Sequence, residues 1–196
     1  GQIARYYIAG NLNQDNGILK VDRRNNFNNN INLKSYQLRS NVNLNMTPTT
    51  EVIVRLSGSF DDYRGPIDGG TTMYTKIMRS SPVDFPAYYP SDILPRNKHI
   101  LFGNVEGASL INPYADMVKG YKDYSKSLMN AQFELKQNLN SWTQGLSMRG
   151  LFNTSRYSFF DLYRNYNPFF YQASGFNSMT DSYTLALLNQ SSATEY

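Results

Sequence analysis

Apolar and polar residues alternate with a period of two along several stretches of this chain. That spacing puts successive side chains on opposite faces of a β-strand. The clearest stretch is 36–46: Tyr36, Leu38, Ser40, Val42, Leu44 and Met46 share one face, and Gln37, Arg39, Asn41, Asn43 and Asn45 the other. In 52–61, Val52, Val54, Leu56, Gly58 and Phe60 alternate with Ile53, Arg55, Ser57, Ser59 and Asp61. Downstream, Met129, Phe133 and Leu135 alternate with Asn130, Gln132, Glu134 and Lys136, and Met148 and Phe152 with Ser147, Arg149 and Asn153. Near the start, Tyr6, Ile8 and Leu12 alternate with Arg5, Tyr7 and Asn11. These patterns predict antiparallel strands near 3–12, 36–46, 51–61, 124–139 and 145–156, adjacent in order. A sixth, weaker strand is expected from Tyr183, with Leu185 and Leu187 on one side.

The predicted connections alternate between short and long. Thr47-Pro48-Thr49-Thr50 and the segment 140–144 are turn-sized, whereas 13–35, 62–121 and 157–182 are long. In an up-and-down antiparallel sheet every second connection lies at the same end, so short turns would gather at one rim and long loops at the other. Outer-membrane barrels have this asymmetry, with strands of ~10 residues. Face alternation alone cannot separate such a barrel from a soluble sandwich, because both pattern their strands alike. The loop of about sixty residues, 62–121, favours the barrel, since such loops are rare in compact domains and usually functional. Within it, Thr71-Thr72 is expected to cap a helix over Met73–Arg79, and Asn112-Pro113 to start one over Tyr114–Val118. Tyr36, Phe60, Tyr124 and Trp142 sit at strand ends, where an interfacial girdle or plain β-propensity would place them.

Composition narrows the class. Charged residues are 17% of the chain against about 25% in an ordinary soluble domain. Aromatics reach 14%, with 16 Tyr and 11 Phe, so the chain does not look disordered. The net charge of +4 is spread along the chain, and no basic run suggests nucleic-acid binding. Without cysteine there is no disulfide framework or thiolate zinc site. No stretch approaches the ~20 apolar residues of a membrane helix.

Catalytic chemistry finds no support. His99 is the one histidine and has no set of metal-ligating residues beside it. Asp61, Asp62 and Asp68 near Gly65, Gly69 and Gly70 lack the spacing of a calcium loop. No G-x-S-x-G, P-loop or H-E-x-x-H occurs. We expect no enzyme activity, no metal and no cofactor.

Five blocks, in order and spacing, resemble the SusC-like TonB-dependent transporters: RYYIAGNLNQDNGIL, SYQLRSNVNLNMTPTTEVIVRLSGSFDDYRGPIDGG, MRSSPVDFPAYYP, NPYADMVKGY and AQFELKQNL. The resemblance covers nearly the whole chain and weakens after about Phe170. It implies an all-β fold, antiparallel up-and-down strands forming part of a large transmembrane β-barrel with long extracellular loops. It implies uptake of glycans, or of peptides, through the outer membrane of a Gram-negative bacterium. A SusD-like lipoprotein would serve as lid, and the TonB complex would supply energy. The chain departs from the family in lacking a TonB-box-like start, a plug domain and enough strands to close such a barrel. Residues 1–196 are therefore expected to be the N-terminal part of the barrel, about six strands. Siderophore uptake, a passive porin and a non-transport β-sheet surface binding module stay open as alternatives.

On the barrel reading, Val42, Leu44, Val54, Leu56, Met129 and Phe133 face the lipid bilayer, while Arg39, Asn43, Arg55, Gln132, Glu134 and Arg149 face the lumen or plug. Tyr63, Tyr88, Tyr89, Tyr163 and Tyr166, among the aromatics of the long connections, together with Arg64, are the candidates for binding substrate or lid. Sugar rings stack on aromatic faces while amides and charged groups take their hydroxyls, and interfaces enrich the same residue types.

Overall fold

The computed structural model describes residues 3–25, 27–107 and 112–189. In chain order the elements are β1 (Ala4–Asn16), β2 (Asn32–Thr47), β3 (Thr50–Gly65), α1 (Gly69–Arg79), β4 (Tyr88–Tyr89), β5 (Leu101–Gly103), α2 (Pro113–Val118), β6 (Gly120–Asn138), β7 (Ser147–Asn165), β8 (Phe170–Asn177) and β9 (Ser182–Leu187). The fold is all-β and mostly antiparallel. It divides into two compact units. The first takes the residues up to Asp15, Leu33–Tyr63 and Tyr124–Asp161; the second takes Asn16–Asn32, Arg64–Asp123 and the residues from Leu162 on.

The first unit is built on a five-stranded sheet ordered β1-β2-β3-β6-β7, so the five strands that the alternation predicts form and lie side by side in that order. Their ends are stitched by backbone bonds: Asn45 N–H to Ile3 O at 2.8 Å, Asn138 N–H to Thr49 O at 2.8 Å and Leu139 N–H to Leu146 O at 2.9 Å. The two-residue turn Pro48-Thr49 is closed by Thr47 Oγ1 donating to Thr50 Oγ1 at 2.8 Å. In the β6–β7 turn, Asn140 Oδ1 accepts from the Gly145 N–H at 2.8 Å, and Gly145 has φ 82°, where only glycine is unstrained.

The second unit has a core of its own. Met73, Ile100, Phe102, Ala115, Met117, Val118 and Tyr166 form one buried cluster; Tyr89, Leu101 and Tyr171 form a smaller one. Helix α2 starts where Asn112-Pro113 predicts, with Asn112 Oδ1 accepting from the Ala115 N–H at 3.0 Å. Helix α1 begins at Gly69, two residues before the expected Thr71-Thr72 cap; its N-cap is Asp68, and Met73 is its buried residue.

A four-stranded sheet ordered β4-β5-β8-β9 completes this unit. Strand β5 pairs antiparallel with β4 and parallel with β8. The strand expected from Tyr183 forms as β9, but it pairs antiparallel with β8 and does not extend the large sheet. The up-and-down series of about six is thus a series of five, because the segment after β7 finds its partner locally. Segment 157–182, expected as a loop, instead carries the end of β7 and all of β8. At Gly103 a Cβ would come within 2.1 Å of Pro86 O, so the close approach of these backbones requires glycine.

Candidate functional site

The polar side of the large sheet carries a connected set of charges. Glu134, with only 2% of its side chain exposed, accepts from Arg149 Nε at 2.7 Å and Arg55 Nη1 at 3.1 Å, with Lys136 Nζ at 3.7 Å. Lys136 also reaches Glu51 at 3.2 Å; Glu51 in turn meets Arg5 at 3.6 Å and accepts from Asn43 Nδ2 at 3.3 Å. Ile53, two residues from both Glu51 and Arg55 and on the same strand face, is fully buried. A groove of about 360 Å³ is lined by Arg39, Arg55 and Gln132 among others. All six residues expected to share the polar face thus lie in this network or beside this groove. Arg5, Glu51 and Lys136 were not singled out beforehand, although the same alternation marks them.

On the other side, Leu44, Leu56, Met129 and Phe133 are exposed, as are Ile8, Leu38, Met148 and Phe152. Val42 and Val54 are half-buried. Tyr36, Phe60 and Trp142 are also exposed.

The candidates expected in the long loops separate differently. Tyr63 and Arg64 lie in β3 and Tyr163 in β7, because both strands run several residues beyond the clear alternation. Tyr63 stacks on Tyr124 with centroids 4.8 Å apart. Arg64 grips Asp123 through Nε at 2.7 Å and Nη2 at 2.8 Å. Lys122 Nζ sits 4.7 Å over the Tyr163 ring. Tyr89 and Tyr166 are buried, at 5% and 8% exposure. Tyr89 Oη accepts from the Ala173 N–H at 3.2 Å, and Tyr166 belongs to the main cluster of the second unit. These two rings pack within their own unit, with little of either ring exposed.

Tyr88 is the member of the six that stays at a surface within a loop-borne cluster. Arg24 lies 4.7 Å over its ring, and Tyr114 is 5.3 Å away. Arg24 also forks onto Asp22, with Nε to Oδ1 at 3.0 Å and Nη2 to Oδ2 at 2.6 Å, and Tyr114 Oη donates to Asp22. Hydrogen bonds from Arg24 hold the Asp22 carboxyl well below the usual range despite its burial, and Tyr114 adds to them. Burial, then the bond to Asp22, pushes Tyr114 up to about 12. Nearby, Lys76 Nζ bridges Asp68 at 2.5 Å and Asp116 at 2.6 Å. Both clusters are internally satisfied and tie loop segments together.

His99 Nε2 is 2.8 Å from Tyr171 Oη, and its ring stacks on Phe169 at 4.1 Å. Among the described residues no group of His, Cys, Asp and Glu is arranged to hold a metal ion. No protein-family model, curated protein or solved structure matches this chain.

Proposed function

We propose that this chain supplies consecutive strands of a transmembrane β-barrel of the SusC-like, TonB-dependent kind. Its apolar face would meet lipid and its polar face the lumen. In this reading the protein imports oligosaccharides across the outer membrane of a Gram-negative bacterium, with a SusD-like lipoprotein as lid and the TonB complex as energy source.

One observation carries the reading. The large sheet combines an open apolar side with a polar side on which Glu134 is paired with Arg55 and Arg149. Monomeric soluble proteins rarely expose contiguous apolar patches beyond a few hundred Å². In a bilayer that exposure becomes favourable, and every strand-to-strand backbone bond is retained. The strands, 13 to 19 residues long, exceed the ~9–11 needed to cross a bilayer. The ordered sequence blocks supply the transporter family, and glycan import follows from that resemblance.

The test is made in the full transporter, folded into lipid and unfolded with denaturant. An arginine at mid-membrane on the lipid side costs about 2–4 kcal/mol. Val54→Arg should therefore lose about that much, while Ser57→Arg, on the polar side, should lose little. The reverse order would invert the faces. A transporter that stays in the aqueous phase without detergent would end the membrane reading and favour the surface binding module.

A further inference from the structure

The polar side of the large sheet holds a second feature beyond its ion pairs. Next to the groove described above lies another of about 420 Å³, and the two share Arg39, Ser57 and Asn130. The second groove has a shallow floor of small residues, Ala9, Gly10, Gly58 and Ser59, and an apolar wall of Tyr7 and Leu128. Tyr7 is 56% exposed, so much of its ring is accessible.

No carboxylate lines either groove. Glu134, the buried carboxylate of the network, is committed to Arg55 and Arg149. Arg39 is exposed and forms no ion pair with another described residue, although every other charge of the network does. The remaining polar lining is mostly amide, with Ser57 and Ser59 beside it: Asn130 Nδ2 donates to Ser57 Oγ at 3.5 Å, while the side chains of Asn11, Gln37, Asn41, Gln132 and Asn153 have no hydrogen-bond partner among the described residues. A surface that needs only solubility is usually made of mixed Lys, Glu and Asp. Amides with an uncommitted guanidinium and an accessible ring match hydroxyl groups, one carboxylate and a flat apolar ring face.

We propose that the joined grooves bind a carboxylate-bearing oligosaccharide of the uronate type. Tyr7 stacks on a sugar ring, Arg39 takes the carboxylate, and the amides take hydroxyls. The binding stands on the groove itself; its place in import rests on the transporter reading.

Titration of the full protein in detergent at low salt with trigalacturonate and with maltotriose tests this. Trigalacturonate should bind about tenfold more tightly than maltotriose, the worth of one charge-assisted pair, and the advantage should shrink as salt is added. Arg39→Gln should remove that advantage, Arg39→Lys should restore part of it, and Tyr7→Ala should weaken both sugars. Equal affinity for the two sugars overturns the proposal, as does undiminished trigalacturonate binding in Arg39→Gln. Triglutamate competing as well as trigalacturonate would also overturn it, by assigning the site to carboxylates in general. Because the titration needs no bilayer, its failure is distinguishable from a failure of the Val54→Arg and Ser57→Arg comparison.

Discussion

In the second unit Met73, Ile100, Phe102 and Val118 are almost wholly removed from water, whereas in the first Leu38, Leu56, Phe133 and Phe152 lie open on one side of a sheet. Both units draw on the same residue types. The difference lies in what each does with its polar atoms. The second unit turns them into internal ties: Asn112 Nδ2 donates to Ala87 O at 2.8 Å and to Gly103 O at 2.9 Å, and the buried Asn29 donates to Met117 O. The first unit gathers them on one face, where Glu134 is as deeply buried as Ile53. Val52 and Ile53 are its buried apolar side chains among the described residues, so no large hydrophobic core holds this unit together. Its stability comes from backbone pairing and from whatever solvates its apolar side.

The comparison breaks most easily at the second unit's core. Phe102 is 1% exposed and packs on Tyr114 and Phe170. Phe102→Ala should cost about 3–5 kcal/mol, the usual penalty for emptying a filled aromatic site. Phe133→Ala, on the open face at 45% exposure, should cost far less in detergent. Hydrogen exchange of the two units checks this. Equal losses of protection would mean that the open face is packed after all.

The polar centre of the first unit should respond less strongly. Glu134→Ala leaves Arg55 and Arg149 without their carboxylate, and breaking a fully buried pair costs about 3–5 kcal/mol. The two arginine side chains are 42% and 63% exposed, however, and can turn to water. About 1–2 kcal/mol is the expected loss. Glu134→Gln should recover part of it by keeping one acceptor. A loss near zero in denaturant unfolding would reduce the network to a surface ornament of the sheet.

Much of the first unit was legible because its strands obey one rule without interruption. From Tyr36 to Met46 only Ser40 departs from the alternation, so strand, partner face and polar set follow together. Strand ends were not legible. Tyr121, Lys122 and Asp123 show no period of two, yet they belong to β6. Small strands of the second unit escaped for another reason. Tyr88–Tyr89 and Leu101–Gly103 are too short for a period, and only their partners make them strands. Helix α2 could be placed because Asn112-Pro113 is a local signal. The fates of Tyr88, Tyr89 and Tyr166 could not be separated, since an aromatic residue in a loop reads alike whether it anchors a core or faces water. The charged face was legible residue by residue; the vacancy of Arg39 was not, because pairing is decided across strands.

The smallest expected effect concerns the loop cluster of the second unit, where pH acts on the Asp22–Arg24–Tyr114 ties. The folded Asp22 carboxyl titrates below its unfolded range, so its contribution is fully present above about pH 4. That contribution is lost as the pH falls further toward the folded value. Tyr114 runs the opposite way. Its folded value of about 12 lies above the unfolded value of 10.0, so its contribution is fully present below pH 10 and disappears as the pH rises toward 12. Both contributions are small, because Arg24 is 37% exposed and water screens the pair. The carboxyl carbon shift of Asp22 should titrate well below the ordinary aspartate midpoint, and Arg24→Gln should move it back toward that midpoint. Tyrosinate absorbance compared between the native chain and Tyr114→Phe should assign one late-titrating ring near pH 12. An ordinary midpoint for both groups would mean that the tie is open in solution, leaving Arg24 and the exposed Tyr88 ring beneath it free to meet a partner.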